Sequence, residues 1–297
     1  MNVNALKNKF SETIKFNHKL ANYTWFGVGG SAEIFFVPEN EMAIQDLLNE
    51  KPKELELFTI GAGSNILIRD KGLKGITLIT KKLNKITIDE EGVITAGAGA
   101  MDADVARFAR NNQRAGLEFL LGIPGTIGGG IRMNSGAFGS EFKNILIDVK
   151  AINHFGEFKI FSNKELGMKY RKIKIGKEWV FCSARFKSSI GKTKSIESKM
   201  KKIIQARKSS QPTGLKTGGS TFKNPNGKKA WMLIDQAGCR GHTIGDAKIS
   251  EKHCNFIINT KKSTAKQIED LGEFVREKVK ENSGINLSWE IQRVGIK

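Results

Sequence analysis

Long apolar runs are missing from this chain. No stretch approaches the ~18 consecutive apolar residues of a membrane span, so membrane insertion is not expected. Met1 to Leu20 is mostly polar and lacks the apolar centre of a secretory signal. Cysteine is scarce too: Cys182, Cys239 and Cys254 are odd in number, far apart, and never form Cys-x-x-Cys. That spacing excludes a disulfide framework and a zinc ribbon, and a reducing, cytoplasmic setting fits. His18, His154, His242 and His253 are equally scattered. His253 and Cys254 are adjacent, but no second cluster completes a metal site, and none is expected.

Acidic residues are outnumbered, with 30 Asp+Glu against 49 Lys+Arg and a net charge of +19. Such a balance raises nucleic-acid binding as a reading. Lysines crowd the stretch from Lys187 to Lys208, opposed only by Glu197. No helix-turn-helix, zinc finger or aromatic RNA-binding motif accompanies them. A solvated helix face, or a field favouring phosphorylated substrates, accounts for the charge without nucleic acid. The apolar share is 39% before 32 glycines are added, which is the globular range and excludes a disordered chain.

Short strands are expected at Glu33–Val37, Leu55–Ile60, Ile66–Ile68, Ile76–Ile79, Ile86–Ile88 and Val93–Thr95. Met42, Ile44, Leu47 and Leu48 space like a helix, and Asp102 is placed to cap another. Further strands are expected near 145–152, 158–161, 180–186 and 256–258, with a closing strand over 287–294. Ser162-x-x-Glu165 and Thr264-x-x-Gln267 read as capping boxes. Strands and helices mix without regular alternation, which argues for an α+β fold. Polarity is highest between 187 and 200, where the domain boundary is expected: residues 1–195, in two subdomains of about 1–80 and 81–195, and then 196–297.

Two glycine-rich loops carry the chemistry. Gly61, Ala62, Gly63, Ser64 and Asn65 link two expected strands. Backbone N–H groups there can converge on an anion, and Ser64 and Asn65 can hydrogen-bond phosphate oxygens. Read alone, such a string is as often a tight turn. The second loop holds seven glycines in residues 122–139. Gly122, Pro124 and Gly125 set a turn, and Gly128, Gly129 and Gly130 let a bulky ligand reach the backbone. The pattern is neither a Rossmann fingerprint nor a Walker loop. So many glycines lose much entropy on folding, which points to cofactor contact.

Four motifs in order resemble one family: Asn22 to Gly30, Gly61 to Asn65, Gly122 to Gly129, and Asn134 to Gly139. From about residue 20 to the C-terminus the chain is similar to the UDP-N-acetylenolpyruvoylglucosamine reductases, or UDP-N-acetylmuramate dehydrogenases. The resemblance implies an FAD-binding domain of the vanillyl-alcohol-oxidase and p-cresol-methylhydroxylase type, and a smaller α+β C-terminal substrate domain. It implies noncovalent FAD, with Arg132, Asn134 and Gly136 joining the two loops as cofactor contacts. NADPH would reduce the enolpyruvyl ether of a nucleotide sugar to a lactyl ether. That step belongs to peptidoglycan precursor synthesis, and so to wall biogenesis, cell shape and division.

Three places match the family's catalytic motifs. Arg171, after Tyr170, would hold the substrate carboxylate; the serine usual two positions later is replaced by Ile173. Ser220, in Gly218 to Pro225, would be the proton donor, with Lys223 and Asn224 of the same string binding substrate. Glu290, in Ser288 to Gly295, would stabilise the enol-like intermediate. With tyrosine only at 23 and 170, the chain looks like the form without the substrate-closing tyrosine loop. A monomer is expected. Two other readings stay open on the residues: a different flavin oxidase on the same scaffold, and a colourless basic nucleic-acid binder with salt-sensitive binding.

Overall fold

Apolar side chains alternate along Ser31–Phe36, where Ala32, Ile34 and Phe36 turn inward. In the computed structural model, which describes Leu6 and residues 9–297, this segment is one strand of a four-stranded sheet. The sheet order is Ile14–Lys19, Ser31–Phe36, Leu73–Ile79, Leu57–Ile60, the last two strands running parallel. The expected helix beside them spans Glu41–Glu50, and the Asn40 side chain caps it by accepting from the Ala43 N–H at 3.0 Å.

The described chain divides into two compact units. The first comprises the described residues up to Phe16, Ile34–Ala62 and Gly75–Ala206. It has two cores. One gathers Ile34, Phe36, Leu47, Ile76 and Leu78. The other lies under a five-stranded antiparallel sheet ordered Phe158–Ser162, Leu146–Ile152, Val180–Phe186, Ile94–Gly97, Ile86–Ile88. Ser162 and Glu165 form the expected capping box. Asp102 does not cap. It is the first residue of the Asp102–Asn111 helix, Met101 takes the cap position, and the Asp102 carboxylate is fully buried.

The second unit comprises Asn17–Glu33, Gly63–Lys74 and Arg207–Lys297. Its four-stranded antiparallel sheet is ordered Lys216–Ser220, Phe256–Asn259, Ala247–Ile249, Thr243–Ile244. A separate parallel pair joins Gln292–Val294 to Ile66–Ile68. The Ala265–Ser283 helix buries Ile268, Leu271, Val275 and Val279, a single stripe at helical spacing. It starts on the expected Thr264–Gln267 capping box and ends at Gly284 in the left-handed region.

A single cut near residue 195 therefore does not describe the division. The Thr193–Ser210 helix runs through that point. Phe26, Val28 and Leu67 belong to the same core as Phe222, Leu271 and Ile291. Local polarity carries no trace of such long-range packing. Strand structure in 287–294 is also shorter than expected: only Gln292–Val294 is a strand, preceded by an isolated bridge between Trp289 and Phe222.

Candidate active site

Within the second unit, two glycines shape the approach to Ser220. The Lys216–Ser220 strand pairs with Phe256–Asn259, but the register slips by one residue between Thr217 and Ser220. Gly219 takes φ +78° at this bulge. Gly218 lies under Phe26, and a Cβ there would sit 2.4 Å from the ring. A bulge bends its strand and re-aims the side chain that follows. Beyond it, Asn255 clamps the chain: its carbonyl accepts from Thr221 N–H at 2.7 Å, and its side chain exchanges hydrogen bonds with Phe222 at 2.9 and 2.8 Å.

This clamped segment meets the Glu290 segment. The Glu290 N–H donates to the Thr221 carbonyl at 2.8 Å, and the Lys223 N–H donates to the Ser288 carbonyl at 2.9 Å. The rings of Phe222 and Trp289 lie 5.1 Å apart. On the other side, the Asn65 side-chain amide donates to the Glu290 carbonyl at 3.2 Å, and the Gln292 N–H donates to the Asn65 carbonyl at 3.1 Å. Ser64 lies beside the bulge, its carbonyl 3.9 Å from where a Gly219 Cβ would be. The second unit thus brings Ser64, Asn65, Ser220 and Glu290 together, with Lys223 next in line. Asn224 is partly committed: its side-chain oxygen accepts from the Ala230 N–H at 3.0 Å, at the start of the Ala230–Gln236 helix.

A charged network supports the Glu290 segment from behind. Glu273, on the Ala265–Ser283 helix, accepts from the Trp289 indole at 2.8 Å and from Arg293 at 2.6 Å. Glu269, one turn earlier, accepts from Arg293 at 3.1 Å and takes a two-pronged bond from Arg69 at 2.9 Å. The Arg69 hydrogen bond and the Arg69 and Arg293 charges hold the Glu269 carboxyl below its ordinary range. Residues 269 and 273 are four apart and so share a helix face. That spacing was readable, but its partners were not.

In the first unit, Tyr170 and Arg171 occupy the tip of a tight turn between Lys169 and Lys172, bonded in both directions at 2.8 and 3.1 Å. Arg171 has φ +53°, a strained conformation for a side chain of its size. Its guanidinium carbon lies 5.1 Å from the Tyr170 ring centroid, and Tyr170 is exposed. Asn134 holds this turn. Its amide donates to the Lys169 carbonyl at 3.3 Å and to Glu141 at 3.0 Å, while its oxygen accepts from the Lys143 N–H at 3.0 Å.

Several of the expected cofactor contacts also make packing contacts within the protein. Asn134 is buried and spends its side chain on those three bonds. The Arg132 guanidinium donates to the carbonyls of Ile175, Gly176 and Trp179 at 3.0, 2.8 and 2.6 Å, and stacks 4.2 Å from the Phe181 centroid. Burial pushes its pKa down to about 10. Asn65, expected in a phosphate cradle, directs its amide at the Glu290 carbonyl. On their Cβ sides Gly128 and Gly130 pack closely within the protein: Cβ atoms there would meet Ala98 at 3.0 Å and the Phe142 ring at 2.3 Å. Gly61 fits against the Thr126 hydroxyl, so the two loops touch through a residue that motif reading passed over.

Gly129 differs. It is exposed, and a Cβ there would find only the Thr126 hydroxyl, at 3.6 Å. A flat or anionic group can lie against this main chain, so the loop fits a flavin nucleotide on that side. Residues 32–162 match the FAD binding domain family. The protein is thus an FAD-dependent oxidoreductase of α+β architecture.

Residues 211–294 match the C-terminal domain of UDP-N-acetylenolpyruvoylglucosamine reductase. The reductase of that name from Rickettsia bellii is 46% identical over 99% of this chain and 97% of its own. The Paramagnetospirillum magneticum protein is 48% identical over 96% of this chain and 92% of its own. The crystal structure of the Thermus caldophilus reductase superposes with a TM-score of 0.82 at 31% identity, covering 95% of this chain and 98% of that one. The chain belongs to the UDP-N-acetylenolpyruvoylglucosamine reductase family.

Proposed function

We propose that the enzyme reduces the enolpyruvyl ether of UDP-N-acetylglucosamine-enolpyruvate to the lactyl ether of UDP-N-acetylmuramate, with NADPH as reductant. When bound noncovalently, FAD would supply the redox chemistry, as hydride acceptor toward NADPH and hydride donor toward the terminal methylene carbon of the substrate. Negative charge then spreads over the adjacent carbon and its carboxylate. That carbon must gain a proton for the ether to be complete.

Ser220 is the proton donor in this reading. A serine hydroxyl is a weak acid, but a carbanion-like centre is a strong base, and a fixed hydroxyl can meet it. Glu290 stabilises the enol-like stage, and Arg171 pairs with the substrate carboxylate. The strain at Arg171 fits a residue held for function rather than for stability. Tyr170, Lys223 and the remaining amide of Asn224 serve substrate binding, and the Gly129 main chain serves FAD. Gly61, Ala62, Gly63, Ser64, Gly122, Pro124, Gly125 and Gly136 shape the flavin loops around it.

The observation that carries this reading is the hydrogen bond from Glu290 N–H to the carbonyl of Thr221, the neighbour of Ser220. Residues far apart in sequence and assigned to one step thereby lie on neighbouring segments of one unit. The test is Ser220→Ala in rapid mixing. Flavin reduction by NADPH stays near normal, and reoxidation by the enolpyruvyl substrate slows on the order of 100-fold or more. Equal slowing of both half-reactions overturns the assignment. We further assign the reaction to the cytoplasm, as a step of peptidoglycan precursor synthesis on which wall growth, cell shape and division depend, and assign the enzyme as a monomer. No described helix is long and apolar enough to cross a membrane. Gel filtration at assay concentration checks the monomer.

A further inference from the structure

We propose that Asn65 is a positioning residue for Glu290, acting through the main chain rather than as a phosphate ligand. The inference rests on the reading of Glu290 as a participant in substrate reduction. Glu290 lies in a short irregular segment between the Trp289 bridge and the Gln292–Val294 strand, where no continuous ladder fixes the peptide planes. Its geometry depends on individual bonds. One is the N–H bond to Thr221 at 2.8 Å. Another is the bond its carbonyl receives from the Asn65 amide at 3.2 Å. Asn65 reaches the segment twice, because its own carbonyl accepts from the Gln292 N–H at 3.1 Å.

The flanking residues cannot do this alone. Trp289 is drawn to Glu273 at 2.8 Å and Ile291 is buried in the core. They locate the segment, while the peptide joining Glu290 to Ile291 is held on its carbonyl side by the Asn65 amide and on its N–H side by a long bond to the Thr221 carbonyl at 3.5 Å. Without the Asn65 amide, the Glu290 carbonyl would turn to water, and the side chain on the same residue would swing with it. Misplacement of a catalytic group by about 1 Å lowers rates on the order of 100-fold. The isosteric change Asn65→Asp replaces the donor with an acceptor facing a carbonyl; Asn65→Ala removes it without adding charge.

The experiment compares the wild type, Asn65→Asp, Asn65→Ala, Glu290→Gln and the Asn65→Asp/Glu290→Gln double variant as FAD-loaded enzymes. FAD dissociation constants, thermal midpoints and the two half-reactions are measured for each. Both Asn65 variants are expected to keep FAD affinity within about 2-fold and to be reduced by NADPH at the wild-type rate. Reoxidation by the enolpyruvyl substrate is expected to slow on the order of 10- to 100-fold, with kcat falling and KM little changed. The double variant is expected to reoxidise no more slowly than Glu290→Gln, since residues acting as one unit are not additive. Weakened FAD binding with normal reoxidation of the bound flavin would overturn the proposal in favour of a phosphate role. Fully multiplicative losses in the double variant, or equal slowing of both half-reactions, would overturn it too. If Glu290→Gln slows reoxidation and neither Asn65 variant does, the Asn65 inference alone fails. If Glu290→Gln changes nothing, the reading of Glu290 fails and takes this one with it.

Discussion

Asp102 is an acid where an acid is expensive. It is fully buried at the first position of the Asp102–Asn111 helix, and neither carboxylate oxygen has a hydrogen-bond partner among the described residues. Two effects compete. The positive end of the helix dipole favours the ionised form by up to ~2 kcal/mol. Burial of an unpaired carboxylate opposes it by several kcal/mol. Burial wins, and holds the Asp102 pKa well above the usual carboxylate range. The unfolded chain loses this proton near pH ~3.9, while the folded chain keeps it. Between those two points the native state binds more protons, so stability falls as pH rises, by about 1.4 kcal/mol per pH unit. Above the folded pKa the loss is complete and the slope vanishes. Asp102→Asn keeps the shape and removes the titration. All other groups titrate alike in both proteins and cancel in the difference. The thermal midpoint of Asp102→Asn should therefore gain on wild type by roughly 2 °C per pH unit within that window as pH is raised from 4. A gap that stays constant with pH, or that closes as pH rises, refutes a neutral buried Asp102.

Two further substitutions test packing. Gly272 lies in the middle of the Ala265–Ser283 helix, and a Cβ there would sit 2.1 Å from the Trp289 indole. Gly272→Ala gains about 1 kcal/mol of helix propensity but overpacks a rigid ring at roughly 1–3 kcal/mol. It should melt lower and slow flavin reoxidation, because Trp289 adjoins Glu290; a raised midpoint with normal turnover refutes the close fit. Thr77 is fully buried in the Leu73–Ile79 strand, and its hydroxyl has no partner among the described residues. Thr77→Val should stabilise by about 1 kcal/mol in a denaturant titration, and a loss of stability would mean that the hydroxyl is satisfied in solution.

Local order was readable wherever it rests on neighbours in sequence. Both capping boxes form, since a hydroxyl and a carboxylate or amide three residues apart satisfy each other within one turn. Strand positions such as Ile66–Ile68 follow from short apolar runs bounded by polar residues. The motifs around Ser220 and Glu290 were also readable, as strings. The roles of polar side chains inside the glycine-rich segments were not. Arg132 and Asn134, which the resemblance implies as cofactor contacts, also have partners among carbonyls, a main-chain N–H and the Glu141 carboxylate that only the folded chain brings near. The same holds for Gly128 and Gly130, whose missing side chains admit Ala98 and Phe142. Asp102 has the residue type of a cap and the burial of a core residue, and only three-dimensional placement separates the two.

The bond from Asn65 to Glu290 spans 225 residues of sequence. During synthesis the Ile66–Ile68 strand therefore emerges long before the Gln292–Val294 strand that will lie alongside it. Until then its edge is open and its apolar face is without the Leu271 and Ile291 side of the core. Contacts of such long range form slowly, and unpaired edges invite association with other chains. The late pairing of these two strands thus also makes a nascent chain halted before residue 292 a natural client for chaperones.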